Sequence, residues 1–184
     1  VRTHPLDLKE VRKDQEIVMQ TVVQNVEKSL VNQLFVKIGN WFRLVSTVAV
    51  YLRFKTYLQK LNITSGSIRL QERSAAELEI FKVVQQEAFS DEIELIRKGK
   101  VIPKNNPLAR LQPIVVDNVL RVGGRLRQSS LPFDEKHPII LPSKGHVSEL
   151  LINTAHVDSL HASPKQIVNM LRSRFWIPNL NRTV

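Results

Sequence analysis

Cysteine is absent from all 184 residues. That excludes a disulfide framework, a thiol nucleophile, a CxxC redox pair and any thiolate zinc site complete within the chain. Long apolar runs are missing as well. The best candidate, residues 48–52, is cut by Arg53 and falls far short of the roughly 18 residues a membrane helix needs. Proline is absent between residues 6 and 102, so that stretch can be helical, whereas the eight prolines from Pro103 onward break the rest into short elements. Acidic residues are scarce, with 17 Asp plus Glu against 27 Lys plus Arg, which leaves a net charge of +10. The chain opens Val1-Arg2-Thr3-His4, with neither an initiator Met nor a signal-peptide core, the opening expected of a piece of a longer protein.

What is present is globular in composition, 42% hydrophobic and 24% charged. A basic chain favours polyanionic partners, because Lys and Arg placed on a nucleic acid release condensed counterions. The excess is concentrated. Residues 97–136 carry nine basic residues (Arg97, Lys98, Lys100, Lys104, Arg110, Arg121, Arg125, Arg127, Lys136) against Asp117, Asp134 and Glu135. DNA or RNA is therefore the expected partner, with Arg121, Arg125 and Arg127 at even spacing as the expected phosphate contacts if Gly123-Gly124 preserves strand alternation.

The pattern along the chain predicts an α+β protein, mainly helical. Residues 11–36 mix Ile17, Val18, Val22, Val23 and Val26 with polar residues in no clean period, so segment 1–37 is expected to be poorly defined and partly extended. Segment 38–99 reads as helical. Trp41, Leu44, Val45, Val48, Tyr51 and Leu52 share one face of a helix over 40–61 with Asn40 as N-cap. A second helix is expected over 74–98 from a capping box, Ser74-Ala75-Ala76-Glu77, with Leu78, Phe81, Val83 and Val84 buried and Gly99 as the stop. Segment 100–143 reads as a basic strand region. Ile114-Val115-Val116 and Val119-Leu120-Arg121-Val122 flank Asp117-Asn118 as a hairpin, Gly123-Gly124 marks a bulge or a close backbone approach, and Ile139-Ile140-Leu141 is a short strand. Segment 144–184 returns to helical spacing with Val147, Leu150, Leu151, Thr154 and Val157. A capping box, Ser163-Pro164-Lys165-Gln166, then starts a helix burying Ile167, Met170 and Leu171.

Candidate chemistry is sparse. Gly123-Gly124-Arg125 lacks the Lys-Ser/Thr ending of a phosphate loop and reads as a structural glycine pair. Asp158, Ser159 and His161 are neighbours in sequence, not a hydrolase triad, and no nucleophile elbow is present. His156 and His161 match the H-x3–5-H half of a structural zinc site, which needs two further ligands to close its tetrahedron.

Separated strings nonetheless agree in order. Leu111-Gln112-Pro113, Leu120-Arg121-Val122-Gly123-Gly124-Arg125-Leu126 and Lys136-His137-Pro138-Ile139-Ile140-Leu141-Pro142 precede His156…Leu160-His161-Ala162-Ser163-Pro164 and Leu171-Arg172-Ser173-Arg174-Phe175-Trp176-Ile177-Pro178. Together they resemble the Pol polyprotein of BEL/Pao-type LTR retrotransposons, where RNase H is linked to integrase. The last part is similar to the integrase N-terminal zinc-binding domain, a small helical His-His-Cys-Cys module. The run 108–184 carries the resemblance, and residues 34–99 share it through Trp41…Leu44…Ala49…Leu52-Arg53-Phe54. The chain departs from the family at Ser163, where a Gly is usual. The family's Cys-x2-Cys and its Asp/Asp/Glu catalytic core are expected beyond Val184.

The resemblance implies a truncated zinc-binding-like domain over 144–184 and a noncatalytic, intracellular (cytoplasmic or nuclear) fragment associated with DNA integration, whose partners include the rest of the polyprotein. It implies zinc in the longer parent through His156 and His161, no tightly bound zinc in this chain, and loosely held final turns from Phe175. The alternative is a structural or protein-interaction scaffold without a nucleic-acid role. A true enzyme is the third class, set aside because the catalytic core is missing.

Overall fold

Asn40 starts the first helix as expected, its Oδ1 accepting the Arg43 N–H at 3.0 Å. A computed structural model describes residues 37–60, 66–124, 130–159 and 163–180. The expectations for residues 11–36, and the positions of Arg125, Arg127 and His161, lie outside the described residues. Helix α1 (Trp41–Lys60) buries Trp41, Leu44, Val45 and Val48 of the expected face together with Ala49, while Tyr51 and Leu52 of that face are only half-buried.

The second helix is corrected in three respects. It begins at Leu70, not at Ser74: α2 (Leu70–Ala88) is capped where the Glu72 carboxylate accepts the Arg69 N–H at 2.7 Å, and Ser74 lies exposed in its first turns. It stops at Phe89, whose φ of −137° leaves helical space, and α3 (Ser90–Arg97) follows as a separate helix up to Gly99. Its buried residues are Ala76, Ile80, Phe81 and Gln85, while Leu78, Val83 and Val84 are only half-buried.

Beyond Pro103 a 3₁₀ turn (Pro107–Leu111) leads into β1 (Ile114–Val116) and β2 (Val119–Arg121). These pair antiparallel as expected, with Val116 opposite Val119, and Asp117 and Asn118 occupy the left-handed region at φ of 52° and 63°. A one-turn helix, α4 (Phe133–Lys136), precedes β3 (Ile139–Ile140). Helices α5 (His146–Asp158) and α6 (Pro164–Arg172) then lead to β4 (Phe175–Trp176). Pro at the first helical position and the Ser163 N–H bonded to Gln166 Oε1 at 3.0 Å start α6 as the sequence indicates. Met170, expected to be buried, is exposed, and so is Val157 at the end of the helical spacing.

The four strands form one sheet in the order β1-β2-β3-β4, antiparallel except for the parallel pair β3–β4. Parallel neighbours need a crossover, and α5 with α6 supplies it. The final residues are thereby corrected. Phe175 lies in a strand, not a loose last turn. The Ile139 N–H donates to the Arg174 carbonyl and the Leu141 N–H to that of Trp176, both at 2.9 Å, and Phe175, Ile177 and Leu180 are buried.

Among the described residues, two clusters join the elements. Trp41 of α1 stacks on Phe81 of α2 at 5.7 Å, and Phe81 meets Phe175 of β4 edge-on at 5.4 Å, so three aromatic rings join three elements. Ile93, Leu108, Leu120 and Ile140 form a second cluster under Phe89, which explains the break at that residue: leaving the helix turns Phe89 into this core. Residues 38–184 make one compact unit, an α+β, mainly helical fold. Among the described residues no helix is long and apolar enough to cross a membrane.

Candidate nucleic-acid interface

Arg121 ends β2 and points inward. Its side chain is 9% exposed and its guanidinium donates to Asp134 Oδ1 at 2.8 Å and to the His137 carbonyl at 2.9 Å. It also lies over the Phe133 ring at 5.1 Å. His137 donates through Nδ1 to the Val122 carbonyl at 2.9 Å, which fixes that tautomer because a carbonyl only accepts. Arg121 thus anchors α4 to the sheet, and its charge is already committed. This corrects the expectation that it contacts phosphate.

The glycine pair is structural, as its sequence context indicates. A Cβ on Gly123 would lie 2.0 Å from the Gln112 carbonyl oxygen, while Gly123 N–H bonds the Leu111 carbonyl at 3.2 Å. The backbone approach closes the loop between the 3₁₀ turn and β2 and leaves no side chain able to replace hydrogen there. Gly124 follows at φ of 72°.

Among the described residues of the basic stretch, the exposed cations lie earlier. Arg97, Lys98, Lys100, Lys104 and Arg110 are all exposed, and no Asp or Glu falls between residues 95 and 116. Arg97 closes α3 and donates to Asn118 Oδ1 at 3.2 Å, and Lys98 pairs with Glu94 of the same helix. Lys98 holds the Glu94 carboxyl below its ordinary range by hydrogen bonding and charge. Lys100 and Lys104 occupy the linker after Gly99, and Arg110 the 3₁₀ turn. Fixed ends position this linker. Ile102 and Leu108 are buried, and Asn106 caps the 3₁₀ turn through the Leu108 N–H at 2.9 Å while donating to Glu92 at 2.6 Å.

The described histidines, His137, His146 and His156, do not assemble. His156 sits exposed in the last turn of α5. His146 bonds the Ile38 carbonyl through Nε2 at 3.0 Å, and His137 is held as described. Among the described residues no three His, Cys, Asp or Glu side chains come together as a metal-binding group. His156 and His161 are two donors where a structural zinc site takes four, and His161 lies outside the described residues.

One polar side chain escaped the sequence reading altogether. Gln85 is fully buried, its Oε1 accepting the Leu120 N–H at 2.7 Å while Nε2 donates to the carbonyls of Leu120 at 2.8 Å and Ile140 at 2.6 Å. Its only sequence signal is position. It falls on the face of Phe81, four residues earlier, where a polar residue has to find partners. No family model, curated protein or solved structure matches the chain.

Proposed function

We propose that the chain is a noncatalytic region of a retrotransposon polyprotein, integrase zinc-binding-like in its last segment, that contacts nucleic acid in the course of DNA integration. The observation that carries the reading is the acid-free run 95–116 with its exposed cations, Lys100, Lys104 and Arg110 foremost. A polyphosphate backbone gives up counterions to such a run, and no base-reading geometry is required for that contact. In sequence, Arg125 and Arg127 continue the basic stretch, whereas Arg121 serves the fold. The strings that carry the resemblance, around Leu120, Ile139-Ile140 and Phe175-Trp176, supply three adjacent strands of the sheet, β2, β3 and β4. In the parent polyprotein His156 and His161 would hold zinc together with cysteines that this chain does not contain.

The test is a titration of a labelled duplex with the purified chain over a range of salt concentrations. The reading expects the logarithm of the binding constant to fall linearly and steeply with the logarithm of salt. Binding that ignores salt, or no binding at low salt, contradicts it. The interaction-scaffold reading is favoured by one observation, the exposed side chains of Val50, Phe54 and Leu58 at four-residue spacing on α1.

A further inference from the structure

We draw no further inference here: the strongest candidate, the surface stripe of Val50, Phe54 and Leu58 on α1, carries nothing because Arg53 beside it is already paired with Glu72 and nothing in the structure shows what covers it.

Discussion

Gln85 presents a carboxamide to the gap where β2 and β3 diverge, and its oxygen and nitrogen pair with backbone groups that a longer strand would otherwise have satisfied. Removing it exposes no new surface but leaves a buried N–H and two buried carbonyls without partners, each costing about 1–3 kcal/mol. Gln85→Leu, similar in size and apolar, is therefore expected to cost about 3 kcal/mol or more in a urea denaturation curve. A loss under about 1 kcal/mol would show that the amide is dispensable. Glu72 is the second decisive residue. The Arg53 guanidinium, aided by the Arg69 N–H, holds its carboxyl at about 2, against an ordinary value of 4.5. A carboxyl depressed in the folded state stabilises it above the ordinary value, and that contribution drains away as the pH falls from 4.5 towards about 2. The stability difference between the parent and Glu72→Gln should thus be present at pH 7 and shrink steadily below pH about 4.5. A difference that stays constant across that range would contradict the pairing.

At the scale of elements, the helix at 41–60, the Asp117-Asn118 hairpin and the proline-led α6 were legible because each rests on local rules: an apolar stripe, a turn pair tolerant of positive φ, and a cap. What was not legible depends on partners distant in sequence. Glu72 starts α2 four residues early because Arg53, nineteen residues away, holds its carboxylate, and Phe89 ends it because a core built from α3, β2 and β3 takes its ring. The two-residue β4 carries no period of its own and exists because β3 offers it a parallel edge. That strand is anchored by Phe175, buried edge-on against Phe81. Phe175→Ala should cost about 3 kcal/mol, within the range for emptying a buried aromatic site, and should speed amide exchange at Ile139 and Leu141, which donate to the β4 segment. A cost near zero with unchanged exchange would restore a loosely held C-terminal segment.

Across the whole molecule, the charge was legible as an excess but not as a surface. Sequence spacing grouped Arg121 with Arg125 and Arg127, and only the fold shows Arg121 turned onto Asp134 and Phe133, while the linker after α3 puts Lys100 and Lys104 in solvent. The two kinds of arginine and lysine predict opposite responses. Arg121→Ala strips a charged hydrogen bond from a buried carbonyl and should lower stability by about 2 kcal/mol, yet it should leave the salt dependence of nucleic-acid binding as it was in the folded protein. The most direct test of the account is that salt dependence in the triple variant Lys100→Ala/Lys104→Ala/Arg110→Ala. Each phosphate contact contributes about 0.9 to the slope of log affinity against log salt, so the account predicts a slope shallower by about 2.7 with the thermal midpoint preserved. A triple variant that folds and keeps the parent's slope would contradict it.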